Sequence, residues 1–118
     1  MKVIIAGSRT VRQYRLVKEA ILESEFDITE VVSGHAQGVD VLGELWAQEN
    51  SILVSQFIPD WENLGKRAGF ERNFDMAVYA DALIAISMNW SKGTANMIEL
   101  AEEEARLRPF PIYIMEIW

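Results

Sequence analysis

A chain of 118 residues, half of them hydrophobic and a quarter charged, has the length and balance of one globular domain spanning residues 1–118, not of a disordered tract. Its 11 basic against 18 acidic side chains give a formal charge of −7, which argues against duplex nucleic acid, whose phosphate backbone demands a basic footprint, but not against a small phosphate ligand. With no cysteine and a single histidine, disulfides, thiolate chemistry and a multi-histidine metal site are excluded; no metal or cofactor is called for, and the short Met1–Ala6 run together with the lack of a ~20-residue apolar span points to a cytoplasmic chain with no membrane partner.

Val3-Ile4-Ile5-Ala6 reads as a buried strand ending in Gly7-Ser8-Arg9-Thr10. Tyr14, Val17 and Ile21 recur at helical spacing. Ile28–Val32 is a second strand ending in Ser33-Gly34-His35, and Val41, Leu42, Leu45 and Trp46 mark a second helix. Ile52–Ile58 is a third strand, stopped by Pro59, which cannot donate to a ladder. After a polar connection from Asp60 to Gly65, Phe70, Phe74 and Val78 give the expected core face of a third helix. Ala82–Ile86 is a fourth strand, a fourth helix runs from Gly93 to about Arg108, and Ile112–Met115 closes the chain as a fifth strand. Arg106 and Arg108 suit the negative end of that last helix.

Strands alternating with helices predict an α/β, Rossmann-like three-layer fold: a five-stranded parallel sheet, ordered 3-2-1-4-5, flanked by two helices on each face. Ligands of such sheets bind outside the carboxyl ends of the strands. Four loops lie there, and they hold most of the unusual residues.

Gly7-Ser8-Arg9 places a glycine where backbone can approach a ligand and an arginine that could grip phosphate; it is equally an ordinary tight turn with a surface arginine. Gly34-His35-Ala36-Gln37-Gly38-Val39-Asp40 brackets the only histidine with two glycines. Asp40 could hold a ribose hydroxyl, although a favourable charge at a helix N-terminus is the simpler role. Trp61 is a lid on the sheet or a stacking surface for a base, the lid being the commoner fate of an isolated tryptophan. Gly65, Gly69, Arg72 and Met76 share one helical stripe, and glycines there cost helix propensity unless something packs closely. Ser91-Lys92-Gly93-Thr94 opens the last helix, where free N–H groups, hydroxyls and the positive dipole end suit an anion or a plain cap. Trp46, Trp90 and Trp118 read as core or interface.

Taken in order, these turns resemble the SLOG superfamily, which takes its name from the SMF/DprA and LOG proteins, and within it the small YspA-like group. The residues carrying the resemblance are Gly7-Ser8-Arg9, Gly34-His35-Ala36-Gln37-Gly38-Val39-Asp40, Asp60-Trp61, Ala68-Gly69-Phe70-Glu71-Arg72-Asn73-Phe74-Asp75-Met76 and Gly93-Thr94-Ala95-Asn96. The resemblance implies a nucleotide or nucleotide-derived ligand as partner, and relatives that often form homodimers. It carries ligand- or phosphate-binding roles to Gly7, Ser8, Arg9, Gly34, Gly38, Asp40, Trp61, Arg72, Asn73, Gly93, Thr94 and Asn96.

LOG proteins cleave the N-glycosidic bond of nucleoside monophosphates, with the signature R-K-x-x-M followed by P-G-G-x-G-T-x-x-E. This chain departs from it: Asn73 replaces the lysine, the P-G-G segment is absent, and Met97 stands at the glutamate, with Glu99 on another side of the helix. Glycosidic cleavage needs a carboxylate, for which Asp60, Asp40 and Glu71 are the candidates. The expected function is therefore a sensor or carrier of a nucleotide-derived ligand. A nucleotide N-glycosidase is the alternative, and single-stranded nucleic-acid binding, as in larger relatives, is a third reading that the acidic balance opposes.

Overall fold

A computed structural model describes residues 1–89 and 91–117; of the three tryptophans set aside above, Trp90 and Trp118 lie outside the described residues. The elements in chain order are β1 (Lys2–Gly7), α1 (Tyr14–Ser24), β2 (Glu30–Ser33), α2 (Val39–Glu49), β3 (Leu53–Gln56), α3 (Trp61–Leu64) with one 3-10 turn (Gly65–Arg67), α4 (Ala68–Tyr79), β4 (Ala82–Met88), α5 (Lys92–Ala105) and β5 (Ile112–Ile117). The sheet is parallel throughout, in the order β3-β2-β1-β4-β5, as the alternating pattern predicts.

β1 and β4 are buried on both faces, which is why they read as unbroken apolar runs. Val3 and Ile5 point into one layer with Val17, Ile21, Val39 and Ala47 of α1 and α2. Ile4 and Ala6 point into the other, with Met76 and Ala77 of α4 and Met97 and Ala101 of α5. Two helices thus cover each face, and Trp46 packs at the margin of the first layer. The chain winds outward from β1 to β3, then returns to lay β4 on the other side of β1, so the strand order reverses between β1 and β4. The pairing runs up to Gly7 opposite Ile86, and a crevice opens beyond it.

The structure corrects several expectations. α4 is rotated relative to the predicted phase: Phe70, Phe74 and Val78 are each about half exposed, while Ala68, Asn73, Met76 and Ala77 are buried. Small side chains let the helix lie close to the sheet, and close approach outweighs the larger transfer free energy of three bulky residues left in water. The same holds on α2, where Val41 and Leu45 are partly exposed and Gly43 faces the sheet instead. A Cβ on Gly43 would sit 2.8 Å from Ile5 Cγ2. β3 is shorter than Ile52–Ile58, β2 begins at Glu30 rather than Ile28, and β4 runs two residues past Ile86 to Met88. α5 ends at Ala105, and Arg108 joins two helices: its Nε donates to Glu104 Oε1 of α5 at 2.8 Å, and its Nη2 donates to Ala77 O at 2.7 Å and Val78 O at 3.3 Å in the last turn of α4. Among the described residues, no helix is long and apolar enough to cross a membrane.

Candidate functional site

The crevice at the strand-order reversal is a cleft of about 380 Å³. Two glycines shape it. A Cβ on Gly7 would lie 2.1 Å from Ile86 O and 2.7 Å from Val39 Cγ2, so only glycine lets the end of β1 press against β4 and α2. Gly38 has φ 80°, and a Cβ there would meet Ser8 O at 2.4 Å, which locks the second turn onto the first. Ser8 is fully engaged within this wall. Its N–H donates to Ile86 O at 3.0 Å, and its hydroxyl accepts from Met88 N at 2.7 Å and donates to Met88 O at 3.3 Å. The residue expected to face the ligand therefore stitches β1 to β4.

Helices from the two faces bring their N-termini to this cleft: α2 through Asp40 and α5 through Gly93 and Thr94. At the start of α5, the Ser91 side chain caps no backbone N–H; its hydroxyl donates to Thr94 Oγ1 at 2.6 Å. A Cβ on Gly93 would meet nothing within 4 Å. In contrast to Gly7, the packing of the chain does not explain Gly93, an exposed residue that lines the cleft. Ser91, Gly93 and Thr94 bring the first turn of α5, the positive end of its dipole, to the lining of the cleft.

Arg72 and Arg9 line one edge. Arg72 is held by three acceptors: Nη1 donates to Gly34 O at 2.7 Å and more weakly to Phe57 O at 3.4 Å, and Nε donates to Asn73 Oδ1 at 2.9 Å. Burial, and secondarily the positive charge of Arg9, lower its pKa, while Asp40 opposes the shift. An anion between the two guanidinium groups would relieve that repulsion. Asp40 is 5% exposed, and its Oδ2 accepts from Ala36 N at 3.2 Å. Burial pushes its carboxyl up to about 6, against the opposing effects of bonds from the Ala36 and Gly7 N–H groups and of the Arg72 charge. Asn73 donates to Asn96 Oδ1 at 2.8 Å, tying α4 to α5 behind the cleft. Met97, at the place of the LOG glutamate, is a buried part of the wall.

A second cleft of about 350 Å³ adjoins the first and shares Arg9, Ala36 and Arg72 with it. Gly34, His35, Pro59 and Trp61 line it. Trp61 is half exposed, carried there by α3, whose N-terminus Asp60 caps by accepting from Asn63 N at 3.2 Å.

Of the residues expected to bind, the structure brings Gly7, Ser8, Arg9, Asp40, Arg72, Asn73, Gly93 and Thr94 together around the first cleft. Gly34 and Trp61 fall in the second, and Gly38 and Asn96 support the walls from behind. Asp60 and Glu71 are exposed and outside both linings, which leaves Asp40 as the carboxylate at the cleft among the described residues. Met88 and Asn89 also line it. Asn89 has φ 55°, and an asparagine directly after a buried strand was the one signal that could have found it. Among the described residues there is no group of three or more metal-ligating side chains.

The geometry can be set beside known proteins. Residues 1–64 match the model of the YspA, cpYpsA-related SLOG family, a stretch that holds the Gly7–Arg9, Gly34–Asp40 and Asp60-Trp61 turns. The Gene 61 protein of Mycobacterium phage D29 is 31% identical over 112 residues, covering 86% of this chain and 89% of that protein. Among solved structures, DNA processing protein A (DprA) from Streptococcus pneumoniae superposes on 96% of the chain with a TM-score of 0.73 at 20% identity, a likeness of fold; this chain spans 49% of that one, about half its length. A family match over more than half of the sequence, joined to a near full-length relative, places this chain in the YspA, cpYpsA-related SLOG family.

Proposed function

We propose that the chain is a cytoplasmic sensor or carrier of a nucleotide or nucleotide-derived ligand, with the phosphate seated in the first cleft. The carrying observation is the convergence of Gly93, which has open space where a side chain would be, with Arg72 and Arg9 on one cleft at the strand-order reversal. The phosphate lies at the N-terminal turn of α5, and the guanidinium of Arg72, already oriented by Gly34 and Asn73, supplies a charge-assisted bond. The net charge of −7 favours a small ligand over a nucleic-acid strand, which needs an extended basic groove. A panel of mono-, di- and cyclic nucleotides, read by thermal shift and calorimetry, tests this. A ligand at 100 times its Kd adds about 2.7 kcal/mol of stability, and a panel giving neither shift nor heat refutes the proposal.

One observation favours a second reading. Asp40 is a buried carboxyl at the cleft with a pKa raised to about 6, suited to trade a proton near neutral pH. A nucleotide N-glycosidase would use it in place of the glutamate lost at Met97. Release of free base at an enzyme-like rate, abolished by Asp40→Asn, would establish the enzyme and displace the sensor.

A further inference from the structure

His35 sits in the left-handed region at φ 58°, a conformation that disfavours a residue with a side chain. Its ring is held with unusual care. Nδ1 lies 2.9 Å from Glu44 Oε2 and 3.1 Å from Oε1. The same carboxylate accepts from Ser33 Oγ at 2.6 Å and from Gln56 Nε2 at 2.8 Å, and the Ser33 hydroxyl also accepts from His35 N at 3.1 Å. Three side chains from β2, α2 and β3 thus fix one exposed imidazole at the wall of the second cleft. The Gln56 amide also lies 3.2 Å from Nδ1, but it donates to Glu44 Oε1 at the shorter 2.8 Å, and both carboxylate oxygens stand closer to Nδ1 than it does. A carboxylate only accepts, so in the neutral ring it keeps the proton on Nδ1 and leaves Nε2 a bare acceptor. Nε2 has no partner among the described residues. The same cleft is lined by Trp61, Ile58 and Pro59, all apolar and at least partly exposed, which offer a surface for a flat ring.

We infer that the second cleft is the base subsite of the ligand, and that His35, positioned by Glu44, reads a base edge that donates a hydrogen bond, such as the exocyclic amine of an adenine-type base. The inference rests on the phosphate reading of the first cleft and adds the class of base to it. Arg9 and Arg72, common to both clefts, mark where the sugar-phosphate passes between them.

The test compares three probes by calorimetry in alkaline buffer: ribose 5-phosphate, adenosine 5′-monophosphate and inosine 5′-monophosphate. The last two differ at the purine 6-position, an amine donor in one and a carbonyl acceptor in the other. The wild type is expected to prefer the adenosine nucleotide by about two- to tenfold, the worth of one hydrogen bond. His35→Asn keeps a residue that tolerates left-handed backbone and can still reach Glu44, yet it removes Nε2; it should erase the preference and leave ribose 5-phosphate binding unchanged. Glu44→Gln puts an amide donor against Nδ1, moves the ring proton to Nε2, and should reverse the preference towards inosine, an outcome that a mere brace would not produce. If ribose 5-phosphate binds but the two nucleotides are not distinguished, or if neither variant alters their ratio, the base reading is overturned and the phosphate site stands. If none of the three probes binds, both are overturned.

Discussion

The close approach of Gly34 to Arg72 gives the sharpest prediction. A Cβ on Gly34 would lie 2.2 Å from Arg72 Nη1 and 2.7 Å from Cζ, with Asp40 Oδ2 at 3.0 Å. Gly34 does not have the positive φ that would demand glycine, so in Gly34→Ala the main obstacle is the guanidinium. The guanidinium must retreat by more than about 1 Å to reach ordinary contact distance, and that breaks the 2.7 Å bond to Gly34 O. A hydrogen bond to a charged group is worth about 1.5–3 kcal/mol. Replacing glycine where alanine fits returns about 0.4–1 kcal/mol through the unfolded chain. Gly34→Ala should therefore destabilise by about 1–2 kcal/mol and weaken nucleotide binding about tenfold or more. In an Arg72→Ala background the obstacle is gone, so the same substitution should be neutral or slightly stabilising. Urea unfolding of the two single variants and the double variant measures this as a coupling of about 1.5–3 kcal/mol. Additivity within about 0.5 kcal/mol would refute the claim that the glycine exists to admit the arginine.

Other expectations follow from the same geometry. Gly93→Ala should fold as well as wild type, since its Cβ meets nothing, while losing nucleotide affinity; equal affinity in a titration would remove Gly93 from the phosphate site. Asp40 titrates at about 6 in the fold against an ordinary 3.8, so its contribution is favourable while the carboxyl stays protonated and is withdrawn as pH climbs through that window, by about 3 kcal/mol at 1.36 kcal/mol per pK unit. Asp40→Asn should flatten the loss of stability between about pH 4 and 7, and an unchanged difference between urea midpoints at those two pH values would contradict it. Phe74→Ser should change stability by less than about 0.5 kcal/mol, whereas Met76→Ala should cost about 2–5 kcal/mol, because α4 buries the methionine and exposes the phenylalanine; thermal unfolding of the pair would expose an error in the helix phase by reversing the order.

The strand order and the four ligand-side loops were legible because burial on both faces makes β1 and β4 unbroken apolar runs, and because glycines mark the turns at the ends of β1 and β2, at Gly7 and Gly34. The helix phases were not. On α4, hydrophobicity alone ranks Phe70, Phe74 and Val78 above Ala68, Gly69 and Ala77, but the helix turns its small residues inward. The stripe of Gly65, Gly69, Arg72 and Met76 predicted close packing that the structure does not show: Gly65 lies before α4 in the 3-10 turn at φ 57° with nothing within 4 Å of an ideal Cβ, Gly69 meets only Trp61 at an ordinary 3.5 Å, and Met76 is buried in the core. Residues that act through partners distant in sequence stayed hidden. Nothing local announces that Asn73 reaches Asn96, that Ser8 spends its hydroxyl on Met88, or that Glu44 holds His35. Asp60 looked like a loop carboxylate of the right kind and is a helix cap.

Ser8 has a kinetic consequence. Its three bonds to Ile86 and Met88 weld the turn after β1 to the end of β4, and these are the two central strands of the sheet. The floor of the cleft therefore opens only when those strands part, which amounts to unfolding the molecule. Amide hydrogens around Ser8 should exchange at the slow, global rate, and a bound ligand should slow them only as far as it stabilises the whole fold. Entry and exit must instead proceed over the exposed rim at Arg9, and differences in affinity between ligands should lie mainly in how slowly each leaves.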